Sequence, residues 1–170
     1  SNMNANEVIA NVALEILGHQ KGDYEFCHPN DHVNCSQSTN DAYPTALKIA
    51  VVASVHETVS ALQVLEKSFA EKAEEFSDVI KMGRTENQDA VPMTLGQEFA
   101  AYAGMVNDGI RRLGRISDEL LIINMGATAI GTGLNSPPGY AELCTRKINE
   151  FSGYHVKLAD DLVEATQDAG

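Results

Sequence analysis

Positive charge is scarce in this chain: 12 lysines and arginines stand against 24 aspartates and glutamates, a formal charge of −12. No local cluster of Lys or Arg offsets that balance, which argues against nucleic acid or an anionic membrane as a partner. Cysteine is sparse as well. Cys27, Cys35 and Cys144 make an odd number with no CxxC spacing, so they read as reduced thiols rather than a disulfide framework or a redox centre. No apolar run approaches the length of a membrane span, and no signal-peptide pattern opens the sequence. Both absences lead us to expect a soluble cytoplasmic protein. Internal repeats and low-complexity linkers are also missing, and 170 residues suffice for one domain with a real core.

What is present is helical periodicity. Asn4 to Leu17 reads as a helix stopped by Gly18, followed by a loop from His19 to about Ser38. Leu47, Val51, Val55, Val59, Leu62, Leu65 and Phe69 recur at helical spacing and predict a helix from about Tyr43 to Phe76, roughly 50 Å long. A second long helix is expected from about Thr94 to Asn124, its stripe carried by Leu95, Phe99, Tyr102, Val106, Ile110, Leu113 and Leu120. A third begins after Ser136-Pro137-Pro138 and ends near Gly153. The expected fold is all-α, a bundle of long helices. Helices of this length outrun a compact domain of this size, so their apolar stripes should continue into neighbours, as core or interface.

Two polar runs interrupt the pattern. The first, HPNDHVNCSQSTNDAYPTA, spans His28 to Ala46 and sets Ser38, Thr39 and Asn40 side by side just before the long helix. Such neutral side chains can point O–H and N–H donors at a carboxylate without placing a full charge on it. Asp41 reads as the helix N-cap and Pro44 as a residue of the opening turn, where its missing N–H costs nothing. An anion held there would gain orphan amide donors and the favourable end of the helix dipole. A polar loop that merely caps a helix would look the same. The second run, from Gly83 to Thr94, carries Arg84, Thr85, Glu86, Asn87, Gln88 and Asp89 before Pro92 and reads as a rigid, donor-rich loop, or as a plain connector between helices.

Other candidates carry less. His28 and His32 enclose Pro29-Asn30-Asp31, a spacing that suggests a metal site, but Pro29 works against helical presentation of both imidazoles. The run Gly131 to Asn135, GTGLN, looks like a phosphate loop without GxxxxGK[ST] and without a strand before it, so close backbone approach is the better reading. His19, His56 and His155 stand alone and read as structural or exposed.

The two polar runs taken together resemble the first two signature regions of the aspartase/fumarase superfamily of lyases. NMNANEVIAN at the start and GATAIGTGLN from Gly126 belong to the same pattern, so the resemblance covers essentially the whole chain. MGRTENQDAVPMTLGQEF, GTGLNSPPGY and DLVEATQDAG resemble the aspartate-deaminating members more closely than the fumarate-hydrating ones, the class II fumarases.

The resemblance implies a fragment of a longer enzyme, with residues 1–40 closing an N-terminal domain and 41–170 opening a central helical-bundle domain. It implies a homotetramer whose active sites draw on three subunits, and a small dicarboxylate substrate. The reaction would be reversible removal of ammonia from L-aspartate to give fumarate, or hydration of fumarate to malate as the alternative. Ser38, Thr39 and Asn40 would clamp the substrate carboxylate, and Thr85 would bind it from a second subunit. His28, Asn30 and Asp31 match a second anion site near the entrance of fumarases. No redox cofactor and no resident metal is implied, although a divalent ion could activate the parent enzyme. The family's serine base lies in a GSSxMPxKxN loop that this sequence does not contain, so the chain alone is expected to be inactive.

Glu86 departs from the pattern, which has His or Gln there. A carboxylate beside a bound carboxylate repels it unless it faces the ammonium of aspartate, the role we expect for it; pairing with Arg84 or facing solvent is the other reading. Two further classes remain open: a helical oligomerisation module without activity, and a metal-binding or regulatory protein resting on the His28/His32 pair.

Overall fold

The computed structural model describes residues 2–168 of the chain. Helices dominate: α1 spans Asn2–Ile16, α2 Thr39–Glu75, α3 Leu95–Leu120, α4 Tyr140–Ser152 and the short α5 Glu164–Gln167. Strands β1 (Ile80–Thr85) and β2 (Gln88–Thr94) form an antiparallel hairpin, while β3 (Ile122–Ile123) and β4 (Lys157–Leu158) form a short parallel pair. The all-α architecture expected from periodicity is what the chain adopts, with these two small sheets added.

Local chemistry sets the helix ends. Buried Asn6, Ala10 and Leu14 recur every four residues along the inner face of α1, and Gly18 at φ 85° follows its last turn. Thr94 and Gln97 form a reciprocal cap at the start of α3: the Gln97 N–H donates to Thr94 Oγ1 at 3.1 Å and the Thr94 N–H to Gln97 Oε1 at 2.9 Å. That helix stops at Leu120, short of the expected Asn124, because Ile122 and Ile123 pair with Lys157 and Leu158. Gly153, at φ 73°, ends α4 where expected and donates its N–H to the Asn149 carbonyl.

The chain divides into two compact units. One comprises the described parts of residues 1–51 and 119–170. Its core is Ile123, Met125 and Val156, covered by Ile49, Leu121, Tyr140, Cys144, Ile148 and Tyr154. Asn149 closes this core by donating to the Val156 carbonyl at 2.9 Å and accepting the Val156 N–H at 2.7 Å. Burial, then contact with Cys144, pushes the Tyr140 phenol above its ordinary range. The other unit, Val52–Asp118, holds most of α2, the β1–β2 hairpin and nearly all of α3. Phe69 of α2 packs there against Phe99 and Tyr102 of α3, and Phe76, just past the end of α2, against Phe99, with ring centroids 5.5–6.0 Å apart. Gly96 lets the helices approach, since a Cβ at that position would lie 2.4 Å from the Ala73 carbonyl oxygen.

Three expectations need correction. The segment from Gly83 to Thr94 is not a loop but belongs to the hairpin, with Glu86 and Asn87 as a two-residue turn at φ 48° and 64°. Positive φ at both central residues is the turn geometry that matches strand twist. The helix expected from Tyr43 begins at Thr39 instead. The third concerns apolar runs. By length and composition alone, a window of α2 with mean hydropathy 1.2 is long and apolar enough to cross a membrane. Lys48, His56 and Glu57 punctuate that stretch, and Lys48 donates to the Ile122 carbonyl at 2.9 Å. Ionisable side chains in the middle of a membrane span are costly, and His56 and Glu57 lie near the middle of the apolar run, so the helix suits a protein environment better than lipid.

Candidate functional site

The start of α2 is built by side chains that cap and then cross-link it. Ser38, not Asp41, is the N-cap: its carbonyl accepts the Ala42 N–H at 3.1 Å and its Oγ accepts the Asn40 N–H at 3.2 Å. With that lone pair engaged, the Ser38 hydroxyl proton remains available to an outside acceptor. Asp41 sits one turn in and reaches back, its Oδ1 accepting the Ser38 N–H at 2.9 Å. Its Oδ2 accepts the Thr128 N–H, also at 2.9 Å, and the residue is fully buried. Thr39 and Asn40 are exposed. One N–H of the Asn40 amide donates to the Ala129 carbonyl at 2.7 Å, which fixes the direction of the other.

Because α2 starts early, Pro44 lies inside the helix rather than in its opening turn. A residue there would normally donate its N–H to the Asn40 carbonyl, which proline cannot do. Asn124 takes over that bond from its side-chain amide at 3.1 Å and gives a second to Thr166 Oγ1 at 3.1 Å.

Against this helix start lies a cleft of about 610 Å³, lined by Asn30, Asp31 and Ser38 on one side and by Thr128, Ile130, Thr132 and Asn135 on the other. Its polar wall is mainly amides and hydroxyls, with Asp31 the charged exception. Thr128, 7% exposed, holds φ 59°, a conformation that β-branched residues rarely adopt, and its hydroxyl has no partner among the described residues. The glycine run behaves as the close-approach reading expects. A Cβ on Gly131, at φ 98°, would lie 2.3 Å from the Val163 Cα.

Asn30 and Asp31 lie in one π-helical turn, Pro29–Val33, and His28 immediately precedes it. Pro29 is its first residue, where proline is tolerated, and His28 caps it: His28 Nδ1 accepts the N–H groups of Asn30 at 3.1 Å and Asp31 at 3.3 Å. His32 Nδ1 accepts the His28 N–H at 2.8 Å. A nitrogen that accepts carries no proton to give, so the 3.6 Å approach of His28 Nδ1 to Asp31 Oδ2 is a neighbour contact and not an ion pair. Both Nδ1 atoms serve the backbone, and no group of three or more His, Cys, Asp or Glu able to hold a metal exists among the described residues.

Thr85 and Glu86 belong to the other unit, at the hairpin end, and both are exposed. The hairpin's shape depends on Gly83, where a Cβ would meet the Val91 carbonyl oxygen at 2.9 Å, beside a register shift between Met82 and Arg84. Arg84 pairs with Asp89, Nε to Oδ1 at 3.4 Å, and not with Glu86. The Lys81–Glu98 ion pair at 2.7 Å ties β1 to the first turn of α3. Asn124 and Thr128 are residues that sequence reasoning missed, and Asp41, read there as the N-cap, has a different role. The signal for Asp41 was its place three residues after a serine, the spacing of a capping box.

Known proteins bear directly on this arrangement. The whole chain, residues 1–170, matches the family model described as Lyase. Aspartate ammonia-lyase of Helicobacter pylori (strain ATCC 700392 / 26695) is 57% identical across 100% of this chain and 36% of its own length. The enzyme of the same name from Escherichia coli (strain K12) is 53% identical across 99% of this chain and 35% of its own. Among solved structures, fumarate lyase:delta crystallin from Brucella melitensis bound to cobalt superposes with a TM-score of 0.93 at 50% identity, covering 97% of this chain and 36% of that one. Class II fumarase from Schistosoma mansoni gives 0.87 at 32% identity, covering 97% and 38%. The chain thus spans a little over a third of the length of these relatives. Matched from end to end, in sequence and in backbone course, it belongs to the lyase family of the aspartase/fumarase superfamily.

Proposed function

We propose that this chain is part of an aspartate ammonia-lyase, which removes ammonia reversibly from L-aspartate to give fumarate. The observation that carries this reading is identity above one half, over the whole chain, with enzymes of that name from Helicobacter pylori and Escherichia coli. The donors at the start of α2 suit the chemistry. Proton removal beside the distal carboxylate turns it into a doubly charged aci-form, and fixed neutral donors stabilise such charge by about 3–4 kcal/mol each in a water-poor site. Ser38 offers its hydroxyl proton, Thr39 its exposed hydroxyl, and Asn40 the amide N–H that Ala129 does not use.

Thr85 is proposed to bind the substrate from a second subunit, and Glu86 to face its ammonium. His28, Asn30 and Asp31 are proposed as a second anion site at the cleft that Asn30 and Asp31 line. The base belongs outside this chain, because no GSSxMPxKxN string occurs in the sequence. The chain by itself is therefore expected to be inactive, and the intact enzyme to work as a cytoplasmic homotetramer. Elimination transfers no electrons, so no redox cofactor is required, while activation by a divalent ion is compatible with the scheme.

Fumarate hydration is the second reading, favoured by the likeness to the class II fumarase. The intact protein, assayed by fumarate absorbance with L-aspartate and with L-malate, separates the two. Turnover of aspartate alone supports the proposal; turnover of malate alone replaces it.

A further inference from the structure

We propose that Asp41 is a positioning residue, whose buried carboxylate fastens the Ser38–Asn40 run to the loop running from Asn124 to Ala129. The inference rests on the reading that this run binds a substrate carboxylate, and adds what holds it in shape. Each oxygen of Asp41 takes one backbone N–H at 2.9 Å, Ser38 on one side and Thr128, 87 residues away in sequence, on the other. No ion pair reaches Asp41 among the described residues, so its neutralisation comes from N–H dipoles, including those at the start of α2.

Two further bonds join the same turn to the same loop, Asn40 Nδ2 to the Ala129 carbonyl and Asn124 Nδ2 to the Asn40 carbonyl. Both of those use Asn side chains and lie partly in solvent; Asp41 to Thr128 is the buried member. Thr128 keeps its disfavoured φ of 59° at this point, a strain that persists where surrounding bonds over-determine the backbone. A serine or asparagine at position 41 could not accept from both segments at once with equal geometry. With Asp41 in place the donors stand in position before a ligand arrives, so binding need not reorganise them.

Hydrogen exchange on the intact protein gives the first test. The Ser38 and Thr128 amides are expected to exchange about a hundredfold or more slowly than unstructured amides. In Asp41→Asn, where one accepting oxygen becomes an NH2 that cannot accept, the amide that faced it is expected to accelerate about tenfold. Kinetics gives the second test: Asp41→Asn should raise the KM for L-aspartate about tenfold while kcat changes less. A merely structural role would lower the folded fraction, and with it the apparent kcat, and leave KM alone. Unprotected Ser38 and Thr128 amides in the wild type overturn the proposal, as does an unchanged KM in folded Asp41→Asn. If that variant does not fold, the wild-type exchange decides. A wild-type protein that turns over neither aspartate nor malate removes the lyase reading only, because exchange at Ser38 and Thr128 still reports whether Asp41 fastens the two segments.

Discussion

Asn124 donates its side-chain N–H to the backbone carbonyl of Asn40 at 3.1 Å, replacing the bond that Pro44 cannot give from within α2. A proline inside a helix leaves the carbonyl four residues earlier without its partner, and losing a part-buried hydrogen bond that replaces it costs about 0.5–1.5 kcal/mol. Asn124→Ala is therefore expected to destabilise the intact protein by about that amount in denaturant unfolding. In a Pro44→Ala background the new backbone N–H serves Asn40, and the cost of Asn124→Ala should shrink by about 1 kcal/mol. Equal costs in both backgrounds would show that the amide does not stand in for the missing N–H.

Lys81 and Glu98 govern how acid acts on the hairpin. The Glu98 carboxyl is held below its ordinary value of 4.5, first by the hydrogen bond from Lys81; burial works the other way, and the Lys81 charge and the Tyr102 hydroxyl add to the lowering. A depressed carboxylate contributes stability that is fully present above its unfolded pKa and lost as pH falls through the folded one. Protection of hairpin amides should accordingly weaken as pH drops below 4.5. Lys81→Met should flatten that acid limb, and an unchanged limb would count against the pair.

Glu86 combines an unfavourable backbone with a charge that no ion pair uses among the described residues. It holds φ 48° at the hairpin tip while Arg84 turns to Asp89. Glu86→Gln keeps the backbone demand and removes only the charge. If the carboxylate faces the substrate ammonium, the KM for L-aspartate should rise about tenfold, whereas inhibition by fumarate, which has no ammonium, should not weaken. An unchanged KM for aspartate would dismiss that role.

The long helices were legible because their apolar residues recur at helical spacing over many turns, and Gly18 and Gly153 marked two of the ends. The hairpin was hidden by its own exposure. All of Gln88–Pro92 is exposed, so β2 shows little of the alternation that reveals a half-buried strand, and its turn uses Glu86-Asn87 rather than a glycine pair. At the start of α2 both Ser38 and Asp41 are capping residue types, and local sequence could not choose between them. What decides is a bond from Thr128, far along the chain. The same holds for Asn124, whose role follows from where Pro44 falls in the helix. Pro29 was read as working against helical presentation of His28 and His32, yet it is the first residue of a π-helical turn that His28 caps.

Two glycines offer opposite outcomes from the same substitution. Gly131→Ala would bring a Cβ to 2.3 Å from the Val163 Cα at φ 98°, a clash with backbone that cannot swing away. We expect a loss of about 1–3 kcal/mol. Gly104, inside α3, has nothing within 4 Å of its ideal Cβ. Gly104→Ala should stabilise by about 0.5–1 kcal/mol through reduced freedom of the unfolded chain. Thermal unfolding of the two variants checks both signs, and a neutral Gly131→Ala would dismiss the close approach.

The apolar faces of α2 and α3 bear on assembly. Val64 in α2 is 68% exposed and Met105 in α3 71%, within stretches that also expose Leu65 and Tyr102. Covering a side chain of this kind is worth about 1.5–3 kcal/mol, so several per subunit supply ample drive for association. We expect the intact protein to sediment as a multimer. Val64→Lys combined with Met105→Lys should move it toward smaller species, since each ammonium would need water where the proposed interface excludes it. Turnover should fall along with size, because Thr85 is proposed to reach a neighbour's substrate. Size and activity that drop together support a shared site. If the doubly charged variant sediments like the wild type, these faces do not form the interface. If it dissociates and keeps full activity, the subunits do not share the chemistry.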